Sequence, residues 1–179
     1  MTRPSSASTA PLPPASGFRF ALIVSRFNEQ ITGALRDAAL AALREAGAAD
    51  IDVEQLSVPG AFELPQAARA AAETGRFDAV VCLGCVIRGD TPHFEYIAGA
   101  AAHGLMFAAG ETGVPMAFGV LTTDTEAQAR ERSGPGADNK GREAAATAIE
   151  MAGLFRRLGR PPAKASASRA FGFATGGDK

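Results

Sequence analysis

His93 has the clearest potential for proton-transfer chemistry, because it is one of only two histidines and follows a turn-like sequence. The apolar run from Ala79 to Leu83 ends at Gly84 and predicts a buried strand. Thr91 followed by Pro92 predicts the cap and first residue of a helix. His93 is therefore expected where a strand ends and a helix begins. In an open α/β sheet this edge binds ligands, since helix N-termini present free N–H groups there.

Aromatic and acidic residues follow two other predicted strands. Phe27 lies between Arg26 and Asn28, where its ring could stack on a flat heterocycle or plug the edge of the core. Glu63 ends a Pro-Gly-Ala-Phe-Glu turn that leads into a helix. Its carboxylate could bind a polar ligand or stabilise the first helical turn. Both alternatives stay open for each residue.

The turn that precedes His93 has the composition of an anion site. Gly89, Asp90 and Thr91 would leave unpaired N–H groups at a helix start, an arrangement that suits a phosphate. Glycine at a helix start is common, so this signal is weak when taken alone.

Cys82 and Cys85 form a C-x-x-C pair, which occurs in redox and zinc sites. There is no second pair, and the spacing falls inside or at the end of a strand rather than at a helix start. The favoured interpretation is a buried Cys82 and a Cys85 that lines the strand end.

Composition favours one globular domain. The 179 residues carry a net charge of −1, with 46% hydrophobic and 21% charged residues. The basic residues are spread out, so neither nucleic acid nor an anionic membrane is an expected partner. No apolar run reaches the roughly 18 residues that span a bilayer, and a cytoplasmic location is expected.

Strand and helix patterns alternate along the middle of the chain. Strands joined by helix-length crossovers must run parallel, with helices on both faces. The expected fold is α/β: a three-layer α/β/α sandwich with a four-stranded parallel sheet, flavodoxin-like. Residues 1–16 and 160–179 are predicted to be flexible segments that flank a domain at 17–159. The predicted strands are Phe18–Val24, Ile51–Val58, Ala79–Leu83 and Val114–Leu121; the predicted helices are Glu29–Ala46, Glu63–Glu73, Pro92 to about Glu111, Thr125–Arg132 and Gly141–Leu158.

Five ordered motifs in the region from about Phe18 to Leu158 resemble those of the 6,7-dimethyl-8-ribityllumazine synthase family. They are R-F-N at 26–28, V-P-G-A-F-E at 58–63, G-C-V-I-R-G-D-T-P-H-F at 84–94, F-G-V-L-T-T at 118–123, and N-K-G at 139–141 with A-I-E-M at 148–151.

The resemblance implies a condensation that needs neither cofactor nor metal. Enzymes of this family join 5-amino-6-(D-ribitylamino)uracil to 3,4-dihydroxy-2-butanone 4-phosphate and release phosphate and water. The product is the lumazine that riboflavin synthase uses. Schiff-base formation, phosphate elimination and ring closure each move protons, a task that suits histidine. A protein of the same fold that binds lumazine or flavin without catalysis, or serves as a shell component, is the alternative.

Roles follow from position in the matching motifs. His93 corresponds to the family's proton-transfer residue. The residues expected to bind the ribitylaminouracil are Phe27, Ala61, Phe62, Glu63, Cys85, Val86, Ile87 and Phe118. The residues expected to bind the phosphate are Asp90, Thr91, Arg132 and Lys140. On sequence alone, Arg132 also fits a solvated helix end.

The resemblance also implies an assembly of subunits, a homopentamer or an assembly of pentamers, with Phe118 and Arg132 supplied by the neighbouring subunit. Alanine-rich helix sequence such as Ala98 to Ala109 fits close packing of helices in a ring of subunits.

One departure from the family's sequence pattern concerns the residues that bind the phosphate. Many relatives carry a lysine in the stretch that here runs from Ser133 to Asp138, and this chain has none there.

Overall fold

A four-stranded parallel sheet forms the centre of the protein. The computed structural model describes residues 11–159. The strands are β1 (Phe20–Ser25), β2 (Val53–Val58), β3 (Ala79–Ile87) and β4 (Met116–Thr123), in the order β2-β1-β3-β4. All neighbouring pairs are parallel. The predicted α/β class and the four-stranded parallel sheet are confirmed.

Helices cover both faces of this sheet. They are α1 (Glu29–Glu45), α2 (Leu64–Glu73), α3 (His93–Thr112), α4 (Glu126–Ser133) and α5 (Lys140–Arg157), with short 3-10 turns at Asp50–Asp52 and Ala61–Glu63. One core cluster joins α1, α4 and α5 to the sheet, and the other joins α2 and α3. The three-layer arrangement is therefore confirmed as well.

The middle strands are buried on both faces, as parallel strands between two helix layers must be. Successive side chains of β1 alternate between the two cores: Phe20 and Leu22 enter one, and Ala21 and Ile23 enter the other. All four are fully buried. This double burial explains why the strand sequences are continuous apolar runs rather than alternating ones.

β3 is longer than its sequence pattern predicts. The strand was expected to end at Leu83, before Gly84, but it continues to Ile87 because its last residues pair with β4. Gly84 stays in the strand since the backbone lies against Leu64 and Ala61: a Cβ there would come within 3.2 and 3.4 Å of their side chains. The glycine marks a close approach, not a strand end.

The start of α3 also differs from the prediction. The helix begins at His93, one residue later than expected, and Pro92 rather than Thr91 occupies the cap position. The Glu95 N–H donates to the Pro92 carbonyl at 3.0 Å, which closes the first turn. The other strand bounds move by about two residues, since residues 50–52 form a 3-10 turn and β4 extends to Thr123.

The predicted N-terminal segment is partly within the described residues. Ala15 is fully buried, and its N–H donates to the Ala46 carbonyl at 2.8 Å. Residues 1–10 and the predicted tail at 160–179 lie outside the described residues, so their flexibility stays a prediction. None of the helices within residues 11–159 has the length and apolar character required to cross a bilayer.

Gly141 of α5 lies directly against the backbone of α1 at Leu35. A Cβ at Gly141 would lie 2.0 Å from the Leu35 carbonyl oxygen, so Gly141→Ala must push the helices apart. We expect a loss of about 3 kcal/mol in the free energy of unfolding. In the same helix, a Cβ at Gly153 would meet nothing closer than 3.7 Å. Gly153→Ala should stabilise by roughly 0.5 kcal/mol. Denaturant unfolding at equal protein concentration measures both, and similar effects of the two substitutions would contradict this packing.

Candidate active site

The end of β3 projects beyond its neighbour β1. Pairing with β1 stops at Leu83, whereas pairing with β4 continues to Ile87. From Gly84 onward, the β1 side of β3 therefore offers backbone groups that no strand covers. Cys85, Val86 and Ile87 lie on this projecting end. It forms one wall of the candidate site.

The turn after β1 is fixed against this wall. The Arg26 N–H donates to the Val58 carbonyl at 2.9 Å, and the Phe27 N–H donates to the Pro59 carbonyl at 3.1 Å. The Asn28 amide Nδ2 donates to the Cys85 carbonyl at 3.0 Å. The turn is thus tied to the ends of both β2 and β3.

Asn28 has an unusual backbone conformation. Its φ of 60° makes it the one non-glycine residue within residues 11–159 with a positive φ. Asparagine tolerates this region better than most residues, though it remains strained relative to an ordinary conformation. Asn28 also begins α1, since its carbonyl accepts from the Ile31 and Thr32 N–H groups. The strain lets the chain turn sharply into α1 while Phe27 stays at the edge of the sheet.

Two aromatic rings at this edge remain open to solvent. Phe27 is 70% exposed and Phe62 is 52% exposed. The alternative that Phe27 plugs the core is therefore wrong. Ala61, next to Phe62, is buried under the turn. Exposed rings at the end of a sheet are available to stack on a planar ligand.

Glu63 uses one carboxylate oxygen within its own turn. Its Oε2 accepts from the Gly60 N–H at 2.9 Å. The alternative that Glu63 stabilises the start of its helix is confirmed, since the carboxylate closes the 3-10 turn that leads into α2. This bond also gives the side chain a defined direction at the sheet edge.

The two cysteines face opposite sides of the sheet. They are three residues apart on β3, and Cys82 belongs to the core under α2 and α3, whereas Cys85 belongs to the core under α1 and α5. Both are free thiols and buried. Burial raises the pKa of the Cys82 thiol far above its usual range and raises the pKa of Cys85 to about 11, with a smaller opposing effect from the Asn28 hydrogen bond. The predicted burial of Cys82 and the predicted position of Cys85 near the end of the strand are confirmed.

The segment after β3 carries Asp90, Thr91 and His93, and all three are exposed. Arg88 precedes this segment and is hydrogen bonded to Asp124 and Glu95. These bonds, that to Asp124 foremost, raise the pKa of the Arg88 guanidinium. Asp90, Thr91 and His93 thus share the carboxyl edge of the sheet with Phe27 and Phe62.

Three predicted site residues lie elsewhere. Phe118, Arg132 and Lys140 line a groove of about 430 Å³ along β4, α4 and α5. None of the carboxyl-edge residues from β1, β2 or β3 lines this groove. Within one chain the predicted site is therefore divided in two.

Both cations in this groove have partners on their own helices. Arg132 Nη1 donates to the Gln128 carbonyl at 2.9 Å, and the Lys140 ammonium pairs with Glu143. Phe118 is 44% exposed at the free edge of β4. The groove therefore presents an aromatic ring beside two positive charges.

Asn139 sets the shape of the loop between the two cations. It is 3% exposed, and its Nδ2 donates to the Ser133 and Gly134 carbonyls while its Oδ1 accepts from the Gly141 N–H at 2.8 Å. It thereby closes the loop and caps α5. The loop itself carries no basic side chain.

Sequence reasoning gave no structural role to Asn28 or Arg88. An Asn directly before a predicted helix is a capping signal, but its bond to the Cys85 carbonyl depends on tertiary structure. The pairing of Arg88 with Asp124 likewise joins residues that only the β3–β4 ladder brings together.

Among the residues described, no group of three or more His, Cys, Asp or Glu side chains is placed to hold a metal ion.

Comparison with known proteins shows the family of the chain. The sequence profile of the family described as 6,7-dimethyl-8-ribityllumazine synthase matches residues 17–156. The chain belongs to this family. A 6,7-dimethyl-8-ribityllumazine synthase from Syntrophus aciditrophicus (strain SB) is similar, with 54% identity over 144 residues that cover 80% of this chain and 94% of the relative. All the lumazine synthase motifs described above fall within the matched range.

Asn28 offers a test of how the turn is held. Asn28→Ala removes the bond to the Cys85 carbonyl and places alanine at a φ of 60°. We expect a loss of about 2 kcal/mol in unfolding free energy. Asn28→Gly removes the same bond but tolerates this φ, so it should cost only about 1 kcal/mol. Chemical denaturation compares the two. Equal losses would show that backbone strain at residue 28 is unimportant.

Proposed function

We propose that this protein condenses 5-amino-6-(D-ribitylamino)uracil with 3,4-dihydroxy-2-butanone 4-phosphate to form 6,7-dimethyl-8-ribityllumazine, with release of phosphate and water. This is the penultimate step of riboflavin biosynthesis. The observation that carries the proposal is the convergence, at one sheet edge, of the two exposed rings Phe27 and Phe62 with His93 in a member of the lumazine synthase family.

The pyrimidine would bind at the projecting end of β3. Phe27, whose ring is exposed, would stack on the flat ring, and backbone groups of Cys85, Val86 and Ile87 would pair with its polar edge. Ala61, Phe62 and Glu63 would hold the ring and the ribityl chain. Aromatic rings suit the flat heterocycle, and the Glu63 carboxylate suits the hydroxyl groups of the polyol.

His93 would transfer protons during the condensation. The free amine of the pyrimidine attacks the ketone of the four-carbon partner, and water leaves as a Schiff base forms. Loss of phosphate and closure of the second ring each require a proton to move to or from carbon, nitrogen or oxygen. Imidazole is the side chain that ordinarily exchanges protons near neutral pH, and His93 at the start of α3 is exposed to an incoming substrate.

The phosphate would be held from two directions. N–H groups of Asp90 and Thr91 lie beside His93, and the cations Arg132 and Lys140 lie together in the groove along β4. Because the Ser133–Asp138 loop adds no lysine, the phosphate would rely on these two cations. We propose that affinity for the four-carbon substrate is set by Arg132 and Lys140.

The divided site is the reason to propose an assembly. Phe118, Arg132 and Lys140 would complete the site of a neighbouring subunit, in a homopentamer or an assembly of pentamers. The exposed apolar residues of α3 support this, since Met106 and Phe107 are 64% and 66% exposed. An apolar face of this kind normally packs against another subunit.

Loss of the proton-transfer residue should separate rate from binding. We expect His93→Ala to lower the rate of lumazine formation about 100-fold or more while leaving the affinity for the product lumazine nearly unchanged. Arg132→Ala should instead raise the KM for the butanone phosphate. The rate is measured from the lumazine absorbance, against the slow uncatalysed condensation. A folded, assembled wild-type protein that gives no acceleration but binds lumazine would be a non-catalytic member of the fold.

Mixing two impaired variants, at a butanone phosphate concentration well below the KM of Arg132→Ala, tests whether the site is shared. His93→Ala and Arg132→Ala subunits, unfolded together and reassembled, would form some sites with an intact His93 from one subunit and an intact Arg132 from its neighbour. Random assembly should make about a quarter of the sites complete. Each variant reassembled alone is the control. Failure of the mixture to exceed both controls, in assemblies shown to contain both variants, would place the complete site within one subunit.

A further inference from the structure

The turn from Gly89 to His93 has few contacts of its own. Within the described part of the chain, the side chains of Asp90, Thr91 and His93 take part in no hydrogen bond or ion pair. All three are exposed. A turn of this kind needs support from outside if its N–H groups and its imidazole are to keep a fixed position.

Arg88 supplies that support from both ends of the turn. Its N–H donates to the Thr123 carbonyl at 2.8 Å, which anchors its backbone to the end of β4. Its Nε donates to Asp124 Oδ1 at 2.8 Å, and its Nη1 donates to Glu95 Oε1 at 3.2 Å. The guanidinium also lies over the Phe94 ring, 4.4 Å from the centroid. We call Arg88, Phe94, Glu95 and Asp124 the Arg88 clamp.

The clamp encloses the segment that carries the predicted chemistry. Phe94 and Glu95 belong to the first turn of α3, directly after His93, and Asp124 directly follows β4. Arg88 therefore spans the turn and ties its far end to the sheet. A planar guanidinium can donate in two directions while it stacks on a ring, which a lysine ammonium cannot do.

The clamp contributes little to the stability of the fold. The Arg88 side chain is 45% exposed, and its two carboxylate partners are 67% and 66% exposed. Exposed ion pairs of this kind contribute little to folding. The contacts of the Arg88 clamp are individually weak, but together they fix the position of the turn more than they stabilise the fold. Their effect should therefore appear in the chemistry of the turn.

We propose that Arg88 is a positioning residue for the condensation. The Arg88 clamp holds the 89–93 turn so that the His93 imidazole faces a pyrimidine held by Phe27, and so that the N–H groups of Asp90 and Thr91 face the phosphate of the four-carbon partner. The inference rests on the proposed function. Arg88 acts through the turn and contacts neither substrate.

Kinetics of Arg88→Met, with Arg69→Met as the matched control, test this role. Arg69 also pairs with two acidic residues, Glu73 and Glu111, and links α2 to α3 far from the turn. We expect Arg88→Met to lower kcat about tenfold and raise the KM for the butanone phosphate, since misplacement by about 1 Å costs up to roughly 100-fold. The KM for the ribitylaminouracil should not change. Arg88→Lys should recover part of the rate, and Arg69→Met should stay within about twofold of wild type.

A mutant cycle tests whether the clamp acts as a unit. Asp124→Asn and Glu95→Gln should each lower the rate less than Arg88→Met. Neither should slow Arg88→Met further when combined with it, because the shared partner is already gone. Fully additive losses in the double variants would contradict the clamp.

Hydrogen exchange gives a readout that does not depend on catalysis. The amides of residues 89–95 should exchange faster in Arg88→Met than in wild type, with no such change in Arg69→Met. Unchanged exchange and a rate equal to that of the Arg69→Met control would overturn the proposal. So would a rise in the KM for the ribitylaminouracil together with a general fall in thermal stability. If the wild-type protein catalyses no condensation, the proposed function fails, and the exchange result still decides whether Arg88 holds the turn.

Discussion

β3 pairs with β4 over more residues than it pairs with β1, and the geometry of the candidate site depends on this difference. β1 supports β3 only to Leu83, and β4 supports it to Ile87. The four added residues carry the chain beyond the layer of β1 and leave one side of their backbone uncovered. Asn28 can then reach the Cys85 carbonyl, and Arg88 emerges beside Asp124. Both turns that carry the candidate chemistry are fixed relative to this projecting end.

The same topology divides the site. β4 is an edge strand, so Phe118 and the Arg132–Lys140 groove lie along the outer strand and not at the ends of β1 and β2. A single chain then presents an aromatic and acidic half at one edge and a cationic half at another. In the proposed function, the first half supplies the surface for the flat heterocycle and the second supplies the cations for the phosphate. An arrangement of subunits around an axis, with apolar α3 surfaces in contact, would bring the halves together.

Much of the fold was predictable from the sequence, because buried parallel strands and capped helices leave strong local patterns. The strands around Leu22 and Val81 and the helix closed by Gly47 follow from such patterns. The end of β3 could not be predicted in this way, since a glycine usually indicates the end of a strand. Only the close contact of Gly84 with Leu64 explains why this glycine lies within the strand. The residues that could do chemistry were recognisable by type and motif. Their supports, Asn28 and Arg88, depend on partners 57 and 36 residues away, which no local pattern reveals.

The central claim is that one lumazine site is built from two subunits. A crystal structure of the assembled protein with the product lumazine bound tests it most directly. The account predicts the lumazine ring in contact with Phe27 of one subunit and with Phe118 of its neighbour, at about 4 Å from each ring. It also predicts the neighbour's Arg132 facing the place where phosphate leaves. A lumazine enclosed by a single chain, with Phe118 of every subunit out of contact, would contradict the account.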